Sequence, residues 1–329
     1  MARTVGKANF AASSARAKSR KAGLIDQIRM KQLLQQDVNA LSASIADSGY
    51  RPDLDVYASR LSGAELIEAA LSHNLDRDLA EVLHFCSGAV RDQVAIYAQR
   101  FEYANAKTVL RAVHSGADPE VLKTEILPEE NYSNKKWLDL VSKSKTLSDA
   151  IHNMKGTPWG RALSKLPEGS TLQEMEDALD QAYYANALDS VSAAGSDFTL
   201  KRYLMTEIDH KNIVNILEAS AVGIDNERLV SLLIPGGRLV PKRAFSAIAT
   251  GGKDAMLDML RSANKFDYAA FEGVLEEAET TRSLDPVVTW MKTREHDMMK
   301  RMSYLHPVSA LPIIFYITMK VQEVSDLRL

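Results

Sequence analysis

Two stretches of this chain repeat each other without a gap. They are EYANAKTVLRAVHSGADPEVLKTEILP (Glu102–Pro128) and DHKNIVNILEASAVGIDNERLVSLLIP (Asp209–Pro235). At an offset of 107, Asn105 meets Asn212, Leu110 meets Leu217, Ala112 meets Ala219 and Gly116 meets Gly223. Asp118 then meets Asp225, Glu120 meets Glu227, Leu122 meets Leu229 and Pro128 meets Pro235, eight identities in 27 positions. Unrelated residues would match at roughly one position in sixteen. The identities include the turn residues and not only the leucines, so a chance overlap of two amphipathic helices is the weaker explanation. Solenoid repeats run to roughly 20–50 residues, so a period this long marks duplication of a domain-sized unit.

Each matched position has a physical task. Val109, Leu110 and Val113 in one copy, and Ile213, Ile216 and Leu217 in the other, recur at helical spacing. Gly116 and Gly223 stand where a helix ends in a left-handed cap. Asp118 and Asp225 are placed to N-cap the next helix, with Pro119 at a first helical position in the first copy. Pro128 and Pro235 stop that short helix. Each copy therefore reads as long helix, tight corner, short helix, stop. Asn105 and Asn212 lie within the long helices, where Asn is a poor helix former. They are either exposed surface or buried amides bonding a neighbouring helix.

The rest of the chain is consistent with helix throughout. Gly (16) and Pro (10) are scarce among 329 residues. Leu24, Ile25, Ile28 and Leu33 form one stripe, and segments such as LQEMEDALDQAYYANAL and DAMLDMLRSA follow the same rule. No stretch alternates as a half-buried strand would. Hydrophobic residues at 46% and charged residues at 25% are ordinary for a globular protein, and the length allows two or three domains with a large core. No apolar run approaches the length of a membrane span; the longest is ALPIIFYI (Ala310–Ile317). A net charge of −3 argues against a general nucleic-acid binder. The single Cys86 excludes an intramolecular disulfide, suits a reducing compartment and reads as a small buried hydrophobe.

Catalytic patterns are missing. The seven His are scattered, and none pairs with another at metal-ligand spacing. His296 and Asp297 in REHDMMKR form one pair without a third ligand and read as a solvated helix face. GGK at Gly251–Lys253 lacks the earlier glycine of a phosphate loop and reads as a turn between helices. No nucleophile elbow and no dinucleotide fingerprint occurs. The acids Glu174, Glu176, Asp177 and Asp180 read as surface, and Tyr183, Tyr184 and Trp159 as core. The NYS triplet at Asn131–Ser133 is a glycosylation sequon on paper only, since nothing directs the chain outside the cell. No cofactor, metal or small-molecule substrate is expected.

One charge asymmetry stands out. Residues 1–31 carry eight Lys/Arg against Asp26 alone. A transit peptide ranks below a solvated basic face or a contact surface for an acidic partner or lipid head groups. Arg16, Lys18, Arg20 and Lys21 are the candidate partner-binding residues.

The ends of the chain extend the repeat. Glu323, Asp326 and Leu327 reproduce the spacing of Asp209, Asn212 and Ile213 at an offset of 114. Near the N-terminus, NFAASSARAKSR is similar to EYANAKTVLRA, and Asp37, Leu41 and Ile45 keep step with Asp118, Leu122 and Ile126. These residues carry a resemblance to the C subunits of A/V-type ATP synthases, relatives of the d subunits of vacuolar ATPases. That family opens with an aromatic residue and an Asn-Ala-Arg-x-Arg-type helix, matched by Phe10, Ala15, Arg16 and Lys18 with Ser14 in place of Asn. Its internal acid-x-x-Asn-Ile helices end in Leu-Arg. Asp209, Asn212, Ile213 and Leu110–Arg111 match, whereas Glu218 replaces an Arg. Its LIPGG motif stands at Leu233–Gly237. Its closing Glu-Ile-x-Asn-Leu-Arg helix is matched by Glu323, Val324, Asp326, Leu327 and Arg328, with Asp for Asn. The family pattern continues for some twenty residues past this point, and the sequence stops at Leu329.

The resemblance covers nearly the whole length. It implies an all-α fold of three pseudo-symmetric helical lobes arranged as a funnel. Their boundaries would be 1–98 completed by 316–329, then 99–204, then 205–315. It implies a non-catalytic part of the central stalk, on the cytoplasmic face of a membrane. Such a part receives the shaft made of the D and F subunits, grips the rotor ring of c or K subunits, and transmits torque for proton or sodium transport. A helical adaptor of another assembly, or a helical enzyme whose site is assembled from scattered residues, are the alternatives.

Overall fold

With few glycines and prolines to interrupt them, long apolar stripes wind into long helices. We describe the protein from a computed structural model covering residues 7–125, 134–193 and 198–328; Pro128 and the Asn131–Ser133 triplet lie outside the described residues. Every regular element among the described residues is helical, so the fold is all-α. No described helix is long and apolar enough to cross a membrane.

The chain divides into two compact units, one running up to Leu179 together with His306–Leu329, the other Asp180–Leu305. The first contains α1 (Phe10–Ala22), α2 (Gln27–Leu33), α3 (Val38–Ile45), α4 (Arg51–Tyr57), α5 (Gly63–Phe85) and α6 (Ala89–Ser115). The short helices α7 (Pro119–Glu125), α8 (Lys135–Lys143), α9 (Leu147–Met154) and α10 (Pro158–Leu163) follow. Helix α11 (Leu172–Ala193) contains the boundary. The second unit holds α12 (Phe198–Val222), α13 (Asn226–Leu232), α14 (Phe245–Ser262), α15 (Tyr268–Thr281) and α16 (Asp285–Leu305). The last helix, α17 (Leu311–Leu327), belongs to the first unit and packs along α1 and α5. The positions 98, 204 and 315 that divide the three sequence-defined lobes fall inside α6, α12 and α17.

Helix starts follow local chemistry. The Asp26, Asp37 and Asp267 carboxylates accept backbone N–H groups of α2, α3 and α15. Helix α9 opens on a capping box in which the Asp149 amide donates to Thr146 Oγ1 (3.1 Å) and the Asp149 carboxylate accepts the Thr146 amide (3.0 Å). The glycine pair expected between two helices does stand at a break in the helical path. Gly252 (φ 52°, ψ −132°) is non-helical, and α14 consists of two helical stretches that meet at this kink. The side chain of Asn226 lies beside Gly252, where a Cβ would fall 2.8 Å from Asn226 Oδ1, so the kink seats a neighbouring side chain.

Each unit buries its own core. In the first, Met30, Leu33, Ile45, Tyr50, Leu54, Ile67 and Leu71 close with Val324 and Leu327 of α17. In the second, residues from Ile213 to Met291 form one cluster, with Phe271 in ring contact with both Phe266 and Trp290. A fully buried Leu or Ile contributes about 1.5–3 kcal/mol, so these clusters supply the bulk of the stabilisation that opposes chain entropy. Tyr183 and Tyr184 are buried as core, and Trp159 sits between Tyr103 and Trp137. Cys86 is a buried free thiol, and burial pushes its pKa up.

Candidate functional site: helices that latch the chain

The repeated corners have the same backbone. Gly116 ends α6 at φ 67°, and Gly223 follows α12 at φ 70°. The Ala117 amide donates to the Ala112 carbonyl and the Ile224 amide to the Ala219 carbonyl, both at 2.9 Å. These are the long-reach bonds of a Schellman cap. Two residues past each glycine an Asp caps the next helix. Asp118 Oδ1 accepts the Glu120 amide, and Asp225 Oδ1 accepts the Arg228 amide, again both at 2.9 Å. Leu110 and Leu217 are both buried, Leu217 within the core of the second unit.

The long helix of the second unit carries more than a corner. Glu207, Asp209, His210 and Asn212, polar residues close together on α12, are all buried. Asn212 brackets Ile234 by donating to its carbonyl and accepting its amide, both at 2.8 Å. Asn212 is a buried amide as expected, but its partner is the non-helical segment past α13 rather than a neighbouring helix. Asp209 accepts three successive backbone amides, Arg238 (2.9 Å), Leu239 (2.8 Å) and Val240 (3.0 Å). The LIPGG segment is thereby strapped across α12. Its glycines are required by contact, since a Cβ on Gly237 would lie 2.3 Å from Asp209 Oδ1. Burial raises the Asp209 pKa, against the three amides that favour its charge. Pro235 is exposed at the turn of this strap.

Helix α17 repeats the device with other partners. Glu323 is buried; its Oε2 accepts the Ile25 amide and its Oε1 accepts the Tyr50 hydroxyl, both at 2.6 Å. Lys320, also buried, donates to both Tyr50 Oη and Glu323 Oε1 at 2.8 Å. Desolvation and the adjoining carboxylate push the Tyr50 pKa far up, so this group is a hydrogen-bond donor at any ordinary pH. Asp326, matched with Asn212 in sequence, brackets no backbone; it is partly buried and accepts from Gln322. Arg328 reaches Glu68 (2.8 Å) and Ser72 (2.6 Å). In the remaining copy Asn105 is half-buried, and Pro128 falls outside the described residues.

The basic residues of α1 are divided in their contacts. Arg16 and Lys18 are exposed, with the Arg16 guanidinium over the Phe85 ring. Arg20 pairs with Asp78 and Glu81 of α5, and Lys21 lies 5.1 Å from the centre of the Phe315 ring. Three of the four residues of the sequence-defined basic face thus make contacts within the fold. Two buried polar centres went unread in the sequence. Asp53 accepts from Asn74 (2.7 Å) and Arg77 (3.0 Å) and lies 2.8 Å from His73 Nδ1. His210 meets Glu295 at 2.6 Å. Within REHDMMKR, Glu295 thus meets a partner 85 residues away, and no local spacing announces it. Among the described residues no group of three His, Cys, Asp or Glu is arranged to hold a metal ion.

Known proteins match this chain over nearly its whole length. The chain is similar to the A-type ATP synthase C subunit of Haloferax volcanii, 26% identical over 99% of this chain and 93% of the relative. Proteins of the same name from Haloquadratum walsbyi and Methanosarcina acetivorans are 25% and 26% identical, covering 96% and 98% of this chain and 91% and 88% of their own lengths. The family model described as ATP synthase (C/AC39) subunit matches residues 13–329. With that match across residues 13–329, this chain belongs to the ATP synthase (C/AC39) subunit family.

Proposed function

We propose that this protein is a non-catalytic component of the central stalk of an A/V-type rotary ATPase. It joins a shaft made of the D and F subunits to a membrane ring of c or K subunits and transmits torque between ATP turnover and proton or sodium movement. The observation that carries this reading is the family match across residues 13–329, joined by relatives named for that complex. The internal architecture supports it. A torque-bearing part must deform little, and close-packed helices whose connecting segments are tied to buried carboxylates and amides deform little. The chain would act on the cytoplasmic side of the membrane, peripherally, held by its partners. We also propose the three-lobe arrangement, with each lobe organised on one long helix: α17, α6 and α12.

In this reading the α1 face of Arg16, Lys18, Arg20 and Lys21 meets an acidic surface of the ring or shaft. Arg16 and Lys18 make the outward part of that contact. Electrostatic complementarity of this kind sets orientation and association rate more than affinity. Affinity capture of the tagged chain from native membranes, with identification of the retained proteins, tests the assignment. Recovery of the D and F subunits together with the ring protein is the expected result. Recovery of an unrelated assembly would favour the adaptor reading instead.

A further inference from the structure

The two units differ in how their cores are drawn from the chain. The core of the second unit is written by one continuous stretch, from Ile213 to Met291. The core of the first is not. Its helices α2 to α5 close on Val324 and Leu327, residues separated from them by the entire second unit. Seven successive residues of α17, Leu311–Ile317, are buried all round. Polar contacts then fix where the helix lies. The Ser14 hydroxyl donates to the Ser309 carbonyl (3.0 Å), Tyr316 Oη donates to Asp78 (2.5 Å), and Thr318 shares a hydrogen bond with Tyr97 (2.9 Å). Ile25, Tyr50, Lys320 and Glu323 complete the set. Without α17 the buried Tyr50 hydroxyl loses both Lys320 and Glu323, whereas Asp78 keeps Arg20, and a buried polar group without a partner is costly.

We propose that α17 is a closing strap. The N-terminal helices α1–α5 reach their native packing only when α17 docks, whereas the second unit folds without it. During synthesis the second unit is then complete before the first, although it is encoded later than most of it. Any partner surface on α1–α5 forms only after the C-terminal helix is in place. An interrupted chain therefore cannot present that surface.

Hydrogen exchange of the full-length protein, read by mass spectrometry, tests this. Ile314→Asp places an unpaired charge in the strap. The expected result is exchange in α1–α5 and α17 accelerated by roughly a hundred-fold or more, with α12 and α14–α16 at wild-type protection. Ile314→Ala should give the same pattern in milder form, so the test survives poor expression of the first variant. In pulse-labelled refolding of the wild-type chain, α1–α5 should gain protection in the same phase as α17, and α12 and α14–α16 in a phase of their own. Retained protection of α1–α5 with α17 exposed overturns the proposal. Equal loss of protection in both units overturns it as well.

Discussion

Asp209 shows what a single buried carboxylate does in a helical scaffold. It replaces water for three backbone amides that belong to no helix, and it does so at the cost of losing its own hydration. Burial raises its pKa above the ordinary aspartate value of about 3.9. The folded state therefore holds the proton more tightly than the unfolded state between those two values. The contribution of Asp209 to stability is fullest below about pH 4 and declines as pH rises through the raised value. Comparing Asp209→Asn with wild type in urea unfolding at a series of pH values isolates this group. The wild-type advantage should shrink as pH rises; a difference independent of pH would show that Asp209 does not titrate in this way. At Gly223 the left-handed backbone is the constraint, since no atom lies within 4 Å of where a Cβ would stand. Gly223→Val should cost about 1–2 kcal/mol through backbone strain alone. An unchanged urea midpoint would mean that the corner relaxes freely.

At the scale of elements, α12 and α17 are largely buried helices tied to the chain by polar groups rather than by stripe-on-stripe packing alone. Lys320 and Glu323 form a buried pair with Tyr50. Removing one charge from such a pair strands the other, so Glu323→Ala should destabilise the first unit by about 3–5 kcal/mol. Lys320→Met together with Glu323→Leu should cost much less, because no charge is left behind. If the double variant is the worse of the two by thermal unfolding, the pair stabilises through its own attraction rather than by avoiding an orphan. The corners were legible in the sequence because Gly followed two residues later by Asp is a local pattern with one backbone solution. The helical class was legible for the same reason, each stripe being written within one element. The straps were not, because Asp209 and Asn212 find their partners among backbone atoms of the segment past α13, and backbone atoms carry no residue signature. The pairs His73–Asp53 and His210–Glu295 join separate helices, and nothing in their spacing marks them. The glycine pair in α14 was legible for the same local reason as the corners. A glycine doublet permits a break, and packing around Asn226 used it as a kink.

At the scale of the whole molecule, family membership joins an all-α scaffold to a complex named for ATP synthesis. The chain has no phosphate loop, so ATP with magnesium should leave the unfolding temperature of the pure protein unchanged. A rise in that temperature with nucleotide concentration would point to a site of its own. The proposed role in coupling is open to a more direct measurement. The rotary ATPase from the same organism, reconstituted into vesicles with and without this chain, can be assayed for ATP hydrolysis and for ion uptake together. Without the chain, hydrolysis should continue while ATP-driven ion uptake is lost, and adding the purified protein back should restore uptake. Undiminished ion uptake in its absence would show that torque reaches the ring by another route.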